Sequence, residues 1–218
     1  MGISERKKRE KARRQEAIID AAEKVILEKG FESAKMTEIA EEAELSKGTL
    51  YLYFRNKTAL YLAISERGSR KLNSQFHEVL KKDRSGLELI RMLGEAYLNF
   101  VNENPIYFNA FSHYENLQDR TLLADSQFAH GCEEQAGEAM GYITRALQKG
   151  IDDGSIDDRF DPKELAVMIW ASARGIVQML HLQSSGHYFR ILDDMDLNIE
   201  SLIISFLQLL EAGMEKKK

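Results

Sequence analysis

Between residues 39 and 57, IAEEAELSKGTLYLYFRNK, the apolar residues are spaced for two short helices that meet at a tight turn. Ile39, Ala40 and Ala43 fall at i, i+1 and i+4, a stripe that the alanines keep small enough for a second helix to cross closely. Leu45 plugs the turn. Ser46 is a good N-cap for a helix that begins at Lys47, and Leu50 and Phe54, four apart, give that helix one buried edge. The rest of its surface faces outward.

Advancing roughly 100° per residue from Lys47 brings Leu50 and Phe54 together and sends Gly48, Thr49 and Leu52 to the opposite side. A glycine, a threonine and a single leucine make a low surface that can approach base edges in a major groove, where an apolar side chain meets a thymine methyl. Lys47, Tyr51 and Tyr53 flank that face, and their ammonium and hydroxyl groups can reach phosphates. Lys47 and Lys57 also stand in first helical turns, Asn56 capping the second, where the macrodipole disfavours a cation unless an anion shares the site. As ordinary half-buried or surface residues, the tyrosines and Leu52 need no DNA to explain them singly. Grouped with Lys47, Thr49 and Lys57, they point to a duplex.

The segment resembles the DNA-binding domain of the tetracycline-repressor (TetR) family of bacterial transcription regulators. The resemblance rests on Gly30-Phe31, on Ile39-Ala40, and above all on S-K-G-T-L-Y-L-Y-F-x-N-K from Ser46 to Lys57, and it is clear over roughly residues 15 to 65. Two departures stand out. Glu44 occupies the turn where the family usually has glycine, so a left-handed backbone there costs on the order of 1 kcal/mol. Lys35 stands where a Ser or Thr usually caps the second helix, removing one cap.

A net charge of −5 is unexpected for a DNA binder until it is divided. Through Lys57 there are 13 Lys/Arg against 11 Asp/Glu; the remainder has 17 against 24. Arg6, Lys7, Lys8, Arg9, Lys11, Arg13 and Arg14 concentrate the basic charge in an N-terminal arm, read either as a phosphate-tracking element or as a solvated tail. Cys132 has no partner in the chain, which suits a reducing cytosol, and no apolar run approaches the roughly 20 residues of a membrane span. The expected location is the cytoplasm, with no membrane partner.

Everything else reads helical. Ile18, Ala21, Ala22, Val25 and Ile26 form a first-helix stripe that Gly30 terminates. Further helices are expected from Lys57 towards Lys82, Leu87 to Asn102, after Pro105, Arg120 to Lys149, Pro162 (capped by Asp161) to about Gln183, and Asn198 to Met214. The fold class is therefore all-α. An N-terminal three-helix helix-turn-helix domain with its basic arm spans residues 1–57, and a larger helical domain for ligand binding and dimerisation spans 58–218. Leu202, Ile203, Ile204, Phe206, Leu207, Leu209 and Leu210 cannot all bury against one neighbour, so this is either a helix with a second partner surface or one central to a monomer core; the family resemblance implies a homodimer through the last two helices.

An aromatic group, Phe100, Tyr107, Phe108, Phe111, Tyr114, Phe128, Met140, Tyr142, Trp170 and Arg174, has the character of either plain core or an effector cavity. The resemblance favours a cavity, and Phe100, Phe108, Phe111, Tyr114, Phe128, Trp170 and Arg174 are its candidates. The histidines are scattered, and no nucleophile elbow, P-loop or paired-metal spacing is present. In the acidic run after Asp153, Asp158 stands where a calcium loop needs glycine, which leaves a solvated helix connection. No catalysis, metal or cofactor is expected. The sequence thus predicts a regulator binding double-stranded operator DNA, most simply a repressor released by an unknown small molecule, with a ligand-independent or architectural DNA-binding protein on the same fold as the alternative.

Overall fold

A computed structural model of the chain describes residues 3–115, 126–184 and 199–216. Among them are nine α-helices and no strand beyond an isolated bridge between Ile156 and Glu215. The helices are α1 (Ile3–Lys29), α2 (Met36–Glu42), α3 (Lys47–Tyr53), α4 (Lys57–Leu80), α5 (Gly86–Glu103), α6 (Pro105–Glu115), α7 (Gln127–Asp152), α8 (Pro162–Ser184) and α9 (Ile199–Met214). None is long and apolar enough to cross a membrane. The helix expected from Arg120 begins at Gln127, residues 120–125 lying outside the described residues, as does Asn198 before α9.

The helix boundaries follow from local chemistry. Gly30 adopts φ 83° and its N–H donates to the Ile26 carbonyl at 2.8 Å, closing α1. Asn56 Oδ1 accepts from the Ala59 N–H at 2.7 Å at the start of α4. Asp161 Oδ1 accepts from Lys163 and Glu164, both at 2.9 Å, while Pro162 takes the first helical position, where no N–H is needed. The basic arm is not a separate tail: residues 3–14 are the opening turns of α1, which at 27 residues is about 40 Å long.

The chain divides into two compact units. The first comprises residues 1–69 and 104–133. Ile18, Ala22, Val25 and Ile26 of α1 are buried there with Ile39, Leu50, Phe54 and Leu60. Arg67 on α4 locks α1 in place: its guanidinium pairs with Glu16, with Asp20 at 2.6 Å and with Glu23 at 3.1 Å, and also donates to the Glu16 carbonyl. Gly68 lets α6 approach α4 closely, since a Cβ there would lie 2.6 Å from Cβ of Tyr107. Cys132 is buried against Leu62 and Ala129, its thiol donating to the Leu62 carbonyl and pushed up to about 11 by burial.

The second unit comprises residues 70–103 and 134–218. Its core includes Leu89, Ile90, Leu93, Leu147, Ile156 and Ile203. Asp153 ties two elements together, accepting from the Gly86 N–H at 2.9 Å and the Ser155 N–H at 3.0 Å. Val167, Met168, Ile204 and Leu209 on α8 and α9 remain exposed.

Candidate nucleic-acid interface and effector cavity

The candidate interface is built on the turn between α2 and α3. Lys35 precedes α2 with no acceptor to offer, so its side chain caps nothing; the Glu38 carboxylate instead accepts the Lys35 N–H at 3.0 Å. The chain leaves α2 through Glu44, which takes the left-handed conformation with φ 54°. That turn is closed by the Leu45 N–H donating to the Ala40 carbonyl at 2.8 Å. Ser46 then caps α3, its Oγ accepting from the Thr49 N–H at 3.1 Å and lying 2.8 Å from the Thr49 hydroxyl.

Leu50 and Phe54 are completely buried and fix which side of α3 faces inward. Lys47, Gly48, Tyr51 and Leu52 are exposed, Leu52 to 81%, and Thr49 and Tyr53 are half-buried. Lys57 is half-buried and its ammonium is engaged within the chain. Its ammonium donates to the Glu32 carbonyl at 2.9 Å and lies 5.2 Å from the Tyr61 ring centroid.

An open cleft of about 700 Å³ borders α3. Lys7, Lys11 and Arg14 of α1 line it together with Leu45, Ser46, Thr49, Leu52 and Tyr53. The three cations are spaced i, i+4, i+7 and so share one helix face. Among the described residues none of them has an ion-pair partner. Glu10 and Glu44 also line the cleft. The basic residues are legible in the sequence, and their spacing is the signal that they act as one face; that this face shares a cleft with α3 requires the fold.

In the second unit a cavity of about 70 Å³ is walled by five helices. Helix α4 contributes Leu72 and Phe76, α5 Ile90, Leu93 and Tyr97, α7 Ala139 and Ile143, α8 Ile169, Trp170 and Ala173, and α9 Ile203, Phe206 and Leu207. Of the seven residues named from sequence, Trp170 lines it, and the Arg174 guanidinium stands 5.3 Å from the Trp170 ring centroid. Phe100 is buried elsewhere in this unit. Phe108, Phe111 and Phe128 belong to the first unit, where Phe128 stacks on Phe54. Tyr114 lies in α6, its side chain outside the described residues. The aliphatic lining is absent from the sequence reading because an apolar position beside a cavity has the same helical spacing as one in solid core.

An exposed α3 of this composition, seated on a helix-turn-helix, places the chain among DNA-binding regulators. The family described as "Bacterial regulatory proteins, tetR family" matches residues 18–64. The helix-turn-helix-type transcriptional regulator YfiR of Bacillus subtilis (strain 168) is 39% identical over 155 residues, 67% of this chain and 70% of YfiR. The chain belongs to the TetR family and is a DNA-binding transcriptional regulator. The fatty acid metabolism regulator protein of the same organism is 24% identical over 204 residues, 92% of this chain and 95% of that protein. The crystal structure of the transcriptional regulator FadR from Bacillus subtilis in complex with stearoyl-CoA shares the fold, with a TM-score of 0.66 and 21% identity over 91% of this chain and 98% of that one.

Proposed function

We propose that the protein is a homodimeric cytoplasmic repressor that leaves a near-palindromic operator when a molecule carrying an acyl chain enters its second unit. The observation that carries this reading is the cavity, whose walls are almost entirely hydrocarbon. The similarity to a fatty acid metabolism regulator, and to a fold neighbour whose structure holds stearoyl-CoA, supports the choice of ligand class. Exposed Val167, Met168, Ile204 and Leu209 support dimerisation through α8 and α9.

On this reading residues 1–57 form the DNA-binding domain and 58–218 the effector and dimerisation domain. Gly48, Thr49 and Leu52 face base edges, while Lys47, Tyr51, Tyr53 and Lys57 hold phosphates. Lys7, Lys11 and Arg14 add a second basic wall. To serve DNA, Lys57 exchanges the Glu32 carbonyl for a phosphate oxygen, a stronger charge-assisted bond.

The cavity is far below the about 300–1,000 Å³ usual for ligand sites, so an acyl chain enters only by parting the helices. That is what a release mechanism needs, because a ligand shifts an equilibrium only by preferring one conformation. Helix α4 contributes Leu72 and Phe76 to the cavity wall and Lys57 to the proposed DNA-binding set, which makes it the candidate lever. A coupling of about 1–3 kcal/mol weakens operator binding by roughly 5- to 150-fold, and the operator weakens ligand binding equally. The test is selection of an operator from genomic fragments, followed by fluorescence-anisotropy titration with and without long-chain acyl-CoA. An operator affinity indifferent to every acyl compound rules this function out.

A further inference from the structure

Among the described residues the polar side-chain groups lining the cavity are the Tyr97 hydroxyl on α5 and the Trp170 indole on α8. Trp170 sits on the rim, 39% exposed, and Arg174 follows it one turn along α8 with its guanidinium against the indole face. Tyr97 is coupled electrostatically to Arg174. A phenol thus lines an otherwise hydrocarbon cavity, and a guanidinium stands against the indole of another lining residue. Burial disfavours the charged form of Arg174 and draws its pKa down, and burial pushes the Tyr97 hydroxyl up to about 12, so the phenol remains an O–H donor.

Resting on the reading that this cavity is the effector site, we propose that Arg174 is its anion seat: the effector is an amphiphile whose apolar chain fills the cavity and whose carboxylate or phosphate meets the Arg174 guanidinium at the rim. Carboxylate and phosphate oxygens match the planar fork of guanidinium N–H donors, whereas an ammonium offers a point charge without that geometry. The Tyr97 hydroxyl donates a second hydrogen bond to the same head. The site therefore discriminates by charge at one end and by chain length at the other.

The experiment uses the full chain and the fluorescence of Trp170, the one tryptophan in the sequence, together with calorimetry. Dodecanoate, dodecanoyl-CoA and dodecanol are titrated into wild type, Arg174→Gln and Arg174→Lys, with thermal melts to check that each variant is folded. Wild type is expected to bind at least one of the two anions tenfold or more tighter than the alcohol. Arg174→Gln is expected to lose that preference while keeping its affinity for dodecanol, and Arg174→Lys to recover only part of it. Tighter binding of dodecanoate assigns the head to a carboxylate, and tighter binding of dodecanoyl-CoA to phosphate. A folded Arg174→Gln protein that still prefers the anion tenfold overturns the anion seat and leaves the acyl-responsive function standing. Failure of wild type to bind any of the three compounds overturns the anion seat, and the acyl-responsive function falls with it if operator affinity is also indifferent to every acyl compound.

Discussion

Phe128 stacks on Phe54, ring centroids 5.3 Å apart and planes inclined by 19°. Phe54 is the residue that closes α3, its N–H donating to the Leu50 carbonyl at 3.0 Å, and Phe128 stands in the first turn of α7. The C-terminal end of α3 is therefore held from a position more than seventy residues away in the chain. Phe128→Ala removes this support, and because Phe128 is only partly buried it should cost less than the about 3–5 kcal/mol of a fully buried phenylalanine. Operator affinity should fall with it, while acyl ligand affinity stays unchanged. Urea denaturation and the two binding titrations check this; a loss of ligand affinity with operator binding intact would return Phe128 to the effector site.

Lys7, Lys11 and Arg14 are exposed, so replacing all three by Gln should leave folding stability within about 0.5 kcal/mol. If each holds a phosphate, the log–log salt dependence of operator binding loses up to about 2.7 in slope, roughly 0.9 per contact. Anisotropy titrations at several salt concentrations measure it. A slope equal to wild type takes the α1 face out of the interface.

His113 on α6 packs edge-on against Tyr61, centroids 5.1 Å apart, and near Phe31 at 6.0 Å. Burial holds the imidazole below its ordinary value near 6.5, with the Glu32 carboxylate opposing and the Lys57 ammonium adding to the depression. The unfolded chain thus takes up this proton at higher pH than the folded one. The stability involved is fully present above about pH 6.5 and is lost as pH falls through the folded value. His113→Phe keeps a ring in place and should lose less stability than wild type between pH 7.5 and 5.5, read from urea midpoints. Parallel pH curves for the two proteins would remove His113 as a source of acid sensitivity.

Features decided within a few residues were legible in the chain: Gly30 as a helix stop, Ser46, Asn56 and Asp161 as caps, and the buried edge of Leu50 and Phe54. Each depends on a local hydrogen bond or a helical period. What escaped was long-range assignment. Phe128 and Phe108 read as cavity aromatics because nothing in their spacing says which unit will bury them. Leu72, Leu93 and Ile143 carry no sequence mark of a cavity, because only the meeting of five helices leaves space beside them. The basic arm was legible as charge, but its continuity with α1 and its place on the cleft depend on the same tertiary packing.

Glu44 joins both kinds of reasoning. It stands where the resembled family usually has glycine, and its φ of 54° makes it left-handed, at a cost of roughly 1–2 kcal/mol for a side chain with Cβ. Its carboxylate also borders the cleft where phosphates are proposed to lie, so it opposes DNA electrostatically as well. Glycine removes both penalties but adds about 0.5–1 kcal/mol of backbone entropy to the unfolded chain, so Glu44→Gly should raise stability by up to about 1 kcal/mol. Non-specific DNA affinity should rise as the acid leaves. Glu44→Ala separates the two effects: it keeps the strained backbone and removes the charge, and so should match the glycine variant in DNA affinity without its gain in stability. Denaturant midpoints and anisotropy with non-operator duplex are the measurements. Equal stability of the two variants would mean that the turn relaxes around an alanine, and unchanged DNA affinity in both would place the Glu44 carboxylate too far from the phosphates to matter.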